Sequence, residues 1–299
     1  MHEGADIMAL FNSDALLDRL EFLDSPADSL QRLLGRGLKV GGANAQAVKD
    51  LLNGVWLGHP LHPALTDLPI GAWTCSTALD LMDRGQGDTM GRAADFLIGA
   101  GLVSGLGAAA SGIADWHDTY GPERRTGLAH ALLNTAGMGM FSGALVLRLT
   151  GRRSSARPLA VMGYLLAAAG AFLGGDMVFR LGTQVNRNAW TAGPDEWADA
   201  AAEEEVTEGA VRRCQVDGAT VLLLRQQGEI CALSAVCSHA GGPLEEGEVV
   251  EGTVRCPWHG SRFDLGSGEV RQGPASMGIP VFETRTTPAG RVEIRRARG

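Results

Sequence analysis

The sequence predicts an α-helical transmembrane bundle of about four spans followed by a small all-β domain. Three observations carry this reading. Residues 96–114, 126–147 and 158–175 hold no charged side chain across nineteen, twenty-two and eighteen positions, and about twenty largely apolar residues suffice to cross a bilayer. The last third of the chain instead breaks into short alternating runs punctuated by Gly and Pro. Mean hydropathy is +0.02 although 20% of the residues are charged, so apolar residues are concentrated in part of the chain.

Residues 1–56 read as a polar N-terminal segment containing helices. Ser25-Pro26 is a start signal, with Ser as cap and Pro at the first helical position, and Leu30, Leu33 and Leu34 follow at helical spacing. Val48, Leu51 and Leu52 make a second apolar face. Such a helix either lies on a membrane surface or binds a partner. No charged-then-apolar leader stands at the start, which is polar and acidic; the expected side is therefore cytoplasmic.

Residues 57–185 are expected to hold the spans. A fourth candidate, 64–82, contains Pro69 and is interrupted by Asp67 and Asp80. Arg92, Arg124, Arg125, Arg148, Arg152, Arg153, Arg157 and Arg180 bracket the uncharged runs, as cations do at membrane borders. Basic residues divide almost evenly between the two ends, so they do not orient the bundle. An even number of spans puts the N-terminal segment and the β domain on one side. Gly101/Gly105, Gly139/Gly143 and Gly170/Gly174 are small pairs four apart that let helix backbones approach.

Residues 186–205 are acidic and poor in core-forming side chains, and read as a linker, with Trp190 suited to the interface. Within 206–299, runs at 220–224, 228–233, 252–255, 279–282 and 290–294 predict antiparallel strands of a compact domain.

The chemistry is concentrated in Cys237-Ser238-His239 and Cys256-Pro257-Trp258-His259, sixteen residues apart. Two thiolates and two imidazoles suit either a structural zinc ion or an iron–sulfur centre with mixed ligation. Zinc-finger spacing keeps Cys with Cys and His with His. Here each half mixes them.

Ala240-Gly241-Gly242-Pro243-Leu244 follows the first pair, Gly260-Ser261-Arg262-Phe263-Asp264 the second, and Gly273-Pro274 comes later. With these, 206–297 resembles the Rieske ferredoxin family. The resemblance implies a [2Fe-2S] cluster on two loops, covered by a third, proline-containing loop. It implies that Cys237 and Cys256 hold one iron, and His239 and His259 the iron that changes valence. The loops carry no further Cys to form a disulfide, which implies the ferredoxin-like end of the family, at about −150 mV. Cys75, Cys214 and Cys231 read as buried small apolar residues. Forty residues follow His259 and none is His, so the chain by itself is not expected to be the catalytic subunit of a Rieske oxygenase, which holds a mononuclear iron after its cluster.

The formal net charge is −8, and Glu245, Glu246, Glu248 and Glu251 follow the first loop. They form either a rim that steers a basic redox partner protein or a solvated loop. No basic, aromatic-rich patch points to nucleic acid.

His59, His62, His117 and His130 fall at one face of the predicted bundle, with Asp67, Asp115 and Asp176. The segment Gly58-His59-Pro60-Leu61-His62-Pro63, with Asp115-Trp116 and His130, resembles a family of bacterial four-helix membrane domains. That family is marked by a doubled His-Pro before its first span and is sometimes fused to a Rieske domain. The resemblance covers about residues 50–185 and implies topology, not activity. Ionisable groups at this depth default to function: a b-type haem on facing imidazoles, a metal ion with Asp67 and Asp115, or a quinone pocket. The same residues also suit helix ends at the headgroup level. The expected function is a membrane-anchored electron carrier, the alternatives being a quinone oxidoreductase with the cluster as relay, or a redox sensor.

Overall fold

A computed structural model describes residues 19–82 and 88–297. The acidic start of the chain lies outside the described residues. The chain divides into two units, Met1–Gln46 with Leu61–Thr183, and Ala47–Pro60 with Gln184–Gly299.

The first unit is helical. Helix α1 (Asp24–Asn53), kinked at Gly42, enters it with its first part. It is followed by α2 (Leu61–Met82), α3 (Asp88–Trp116), α4 (Gly121–Leu149) and α5 (Arg153–Phe179). Three of these are long and apolar enough to cross a membrane, over Thr89–Trp116, Gly121–Leu149 and Arg153–Phe179. The fourth candidate, α2, has span length but carries Asp67 and Asp80. Phe96, Val103, Leu106, Val146 and Leu165 are exposed on the outside of these helices, the pattern of a bundle whose solvent is lipid.

Two hairpins, α2–α3 and α4–α5, are built on one plan. His62 of α2 bonds the carbonyl of Ala108 on α3 and packs on Gly112; His130 of α4 bonds the carbonyl of Gly170 on α5 and packs on Gly174. Trp73 fills the space left by Gly101, and Phe141 the space left by Gly163. Each α4 residue in these pairs lies 68 positions after its α2 counterpart, the separation that also relates Arg148 to Asp80. Between the hairpins Trp73 stacks on Phe141, with ring centroids 4.7 Å apart and planes 14° from parallel. Recurrent contacts at a constant offset are the mark of an internal repeat, a common construction of membrane domains.

One charge from each helix closes the other end. Arg148 (α4) makes a bidentate pair with Asp80 (α2) and bonds Asp95 (α3) at 3.0 Å, and Asp95 also takes Arg153 (α5). Two arginines against two aspartates leave this network neutral, which is how charges are tolerated inside an apolar bundle. The first part of α1 is pinned to the opposite end. Arg124 pairs with Asp28, Arg125 with Asp24 at 3.0 Å, and Gln31 donates to the carbonyls of Trp116 and Thr119. Leu23 and Ala27 pack there with Trp116, Leu128 and Leu173.

The second unit is all-β apart from short helical turns and residues 47–60. Strands β1 (Ala198–Ala202), β2 (Val211–Val216), β3 (Ala219–Gln226), β4 (Glu229–Ser234), β9 (Val281–Thr286) and β10 (Arg291–Arg296) form one antiparallel sheet ordered β1-β10-β9-β4-β3-β2. Strands β5 (Glu248–Val250), β6 (Thr253–Arg255), β7 (Arg262–Asp264) and β8 (Val270–Gln272) form a second. Strand β3 organises both cores. Leu222 and Leu224 face the core containing Cys237, Cys256, Leu244 and Phe263, while Val221 and Leu223 face the one containing Phe282, Val292 and Ile294. This is the two-residue period of a strand buried on both faces.

The acidic stretch 186–205, expected as a linker, is instead built into this unit. Ala198–Ala202 pairs with β10, and the main chain of Arg296 donates to Pro194 O. Its alternating small residues suffice for an edge strand because β10 supplies the hydrogen bonds. The three cysteines expected to be buried are not: Cys214 and Cys231 lie in strands and are only partly buried, and Cys75 is exposed on α2.

Candidate metal centre

The two Cys/His stretches form the same turn twice. In the first, Cys237 N donates to Gly242 O at 2.9 Å and Gly241 N donates to Cys237 O at 3.0 Å. In the second, Cys256 N donates to Ser261 O at 2.8 Å and Gly260 N to Cys256 O at 3.1 Å. The residue four after each Cys must adopt a positive φ, and Gly241 (81°) and Gly260 (78°) do so without strain. Each turn also aims N–H groups at its own sulfur, from His239 and Ala240 to Cys237 and from Trp258 and His259 to Cys256.

The loops face each other. Cys237 and Cys256 are buried and their sulfurs hydrogen-bond. The rings of His239 and His259 lie 5.1 Å apart, edge to face at 88°. His239 is buried, His259 half-buried, and Trp258 beside it is exposed. The hydrogen bond from Cys237, with the N–H groups of Trp258 and His259, lowers the Cys256 thiol to about 6, while the shared proton and burial push Cys237 up. An apolar pocket that favours thiolate on one of two adjacent sulfurs is set up for a cation. Burial raises the thiols of Cys214 and Cys231, which keeps them protonated and inert.

A third loop, with a cis Gly273–Pro274 bond, is tied to both turns. Ala275 N donates to Ser261 Oγ at 3.0 Å, and Ser238 Oγ donates to Met277 O at 2.5 Å. Gly242 is required by space, because a Cβ there would lie 2.8 Å from Cys256 Sγ and 3.2 Å from the Trp258 ring. The donor set, the paired turns and this cradle fit a [2Fe-2S] cluster.

Several supporting residues carry no signal in the motif. Asn188 donates to Val236 O at 2.8 Å and accepts from Ser234 Oγ at 2.6 Å, while Arg187 N donates to Ser238 O at 3.1 Å. They fix the base of the first loop from a stretch expected to be a tether. Asp50 accepts from Gly273 N at 3.0 Å, a contact across more than two hundred residues that no local pattern announces.

The membrane histidines and acids are dispersed. His62 and His130 come together, with ring centroids 6.1 Å apart at 81°. Asp67 is exposed on α2, and His117 bonds Asp118 at 2.8 Å. Asp176 pairs with Arg180 at 3.1 Å, and Asp115 is buried. His59 belongs to the β unit and sets its Nδ1 3.0 Å from Pro60 O.

A two-sheet β fold carrying paired Cys/His turns defines an iron–sulfur protein of the Rieske class. The chain belongs to the Rieske [2Fe-2S] family through residues 196–283, and therefore carries a [2Fe-2S] cluster; residues 58–187 match the family described as Predicted membrane protein (DUF2231). The ferredoxin component of the naphthalene 1,2-dioxygenase system of Pseudomonas aeruginosa is 30% identical over 91 residues, which is 30% of this chain and 88% of that protein. Apoptosis-inducing factor 3 of Mus musculus is 33% identical over 82 residues, 27% of this chain, and the chain spans only 14% of that protein's length. Among solved structures, the ferredoxin of carbazole 1,9a-dioxygenase from Nocardioides aromaticivorans IC177 aligns over 34% of this chain and 98% of its own, at 22% identity and a TM-score of 0.32.

Proposed function

We propose that this chain is a membrane-anchored one-electron carrier with its cluster held by Cys237, Cys256, His239 and His259. The observation that carries the reading is the pair of matching turns that bring two buried sulfurs into contact and two imidazoles to 5.1 Å. The bound cluster supplies reversible one-electron transfer at its imidazole-ligated iron.

The protein's own residues do the rest. Buried Cys237 and Cys256 keep water from the sulfurs, and the N–H groups of each turn stabilise negative charge on them. His259, the less buried imidazole, and exposed Trp258 mark the edge where an electron leaves. A redox partner protein docks there, as the ferredoxin component of a dioxygenase system serves its own partners. The absence of a loop disulfide supports a potential near the low end, about −150 mV. The DUF2231 match and the apolar helices support anchoring in a membrane.

Low-temperature EPR of the dithionite-reduced, detergent-purified chain tests this, together with metal analysis. A rhombic signal with average g below 2, lost in Cys237→Ser and Cys256→Ser, is the expected result. Stoichiometric zinc with no such signal overturns the proposal.

A further inference from the structure

We infer that the helical unit binds a b-type haem between its two hairpins, with His62 and His130 as the axial ligands.

The inference starts from the protons. His62 Nδ1 lies 2.8 Å from Ala108 O, and His130 Nδ1 lies 2.7 Å from Gly170 O. A carbonyl oxygen only accepts, so both rings carry their proton on Nδ1, and in the neutral ring Nε2 is a lone-pair donor. A backbone carbonyl on Nδ1 is how proteins orient an imidazole for metal ligation. Both rings are held this way, at equivalent positions of two repeated hairpins.

Spacing comes next. A metal bonded to one nitrogen of each ring at about 2.0–2.1 Å, with about 1 Å more to each ring centre, sets the centres roughly 6 Å apart. They are 6.1 Å apart. The glycines show that the rings are accommodated: a Cβ at Gly112 would lie 2.9 Å from the His62 ring, and one at Gly174 would lie 3.1 Å from that of His130.

Ligand count then selects the group. Protein sites for a bare ion take three or four side chains, and among the described residues no third His, Cys, Asp or Glu joins this pair. Asn134, the near polar neighbour, donates to its own helix at His130 O (2.9 Å) and stands 3.4 Å from His130 Nε2. A haem brings four nitrogens of its own and asks the protein for two axial ligands on opposite faces. Two equivalent imidazoles, one from each hairpin, are that request. An oxidised quinone needs hydrogen-bond donors at its carbonyls, and the Nδ1 protons of both rings are already spent on backbone carbonyls.

The test is titration of ferric haem into the detergent-purified full-length chain in a Cys256→Ser background, so that cluster absorbance does not interfere and the outcome is independent of the iron–sulfur reading. The expected result is a Soret band saturating at one haem per chain, with the low-spin EPR of two imidazoles. His62→Ala and His130→Ala each weaken binding at least tenfold, while His117→Ala leaves it unchanged. His130→Met, which keeps a ligand, changes the ligand-field bands instead of removing the haem, so a loss caused by misfolding is told apart. Absence of saturable binding to the parent chain overturns the inference, as does a low-spin spectrum unaffected by the His62→Ala/His130→Ala double substitution.

Discussion

Arg148 sits bidentate on Asp80, its side chain wholly shielded, and the two residues occupy equivalent positions of the repeated hairpins. The repeat thus places opposite charges where like residues would repel, and the charge pair locks α2 to α4.

Breaking one partner strands the other. Arg148→Ala leaves Asp80 without its cation in an apolar bundle while Asp95 keeps Arg153, and the expected loss is about 3–5 kcal/mol. Thermal unfolding of the detergent-solubilised chain measures it. The double substitution Asp80→Leu/Arg148→Met is expected to recover most of that loss, because a well-packed apolar pair removes the uncompensated charge. Equal destabilisation of single and double variants would show that the network does not act as a pair.

Gly242→Ala is expected to lower iron content. The added methyl meets Cys256 Sγ at 2.8 Å, and overpacking at such a site costs about 1–3 kcal/mol. Iron per chain and visible absorbance are the readouts. Gly266→Ala, where φ is likewise not positive and a Cβ comes no closer than 3.5 Å to Asp264 Oδ1, controls for the added methyl without the clash.

Asn188→Ala removes the side chain that joins Ser234 to Val236, next to Cys237. Leaving those buried groups unsatisfied costs about 1–3 kcal/mol. Faster loss of the visible cluster spectrum on warming, with the reduced EPR signal unchanged at low temperature, is the expected outcome.

Asp264 is held below the usual carboxylate range, first by the Ser267 N–H, then by Arg271 and the Gly266 N–H. The folded carboxylate binds a proton less readily than the unfolded one. Its contribution is therefore complete above the unfolded value of about 3.9 and is lost as pH falls through the lower folded value. Asp264→Asn is expected to be less stable than the parent at neutral pH and to lose less on acidification from pH 5 to 3. Thermal midpoints across that range provide the check.

The parts legible in chain order are the local ones. Cys237-x-His239 and Cys256-x-x-His259 are legible because a knuckle turn needs its Gly and ligands at fixed spacing within one loop. The uncharged runs are legible because a bilayer demands an unbroken apolar length. The apolar run of β3 and the alternation of β10 follow the same logic. Strands β5, β7 and β8, three residues each, are too short to show alternation, whereas β6 is bracketed by the run at 252–255, and the Ala-rich β1 exists because β10 offers it an edge.

Which distant residues meet is set by packing in three dimensions. Asn188 and Asp50 support the cluster loops through contacts made by distant chain, and among the membrane histidines the fold joins His62 with His130 while His117 turns to Asp118. The two hairpins share few identical residues, so their repeat emerges from equivalent contacts, a ring against a glycine and an acid against a base. Packing conserves shape and charge balance at such positions, and those are properties of pairs that a single chain read in order does not display.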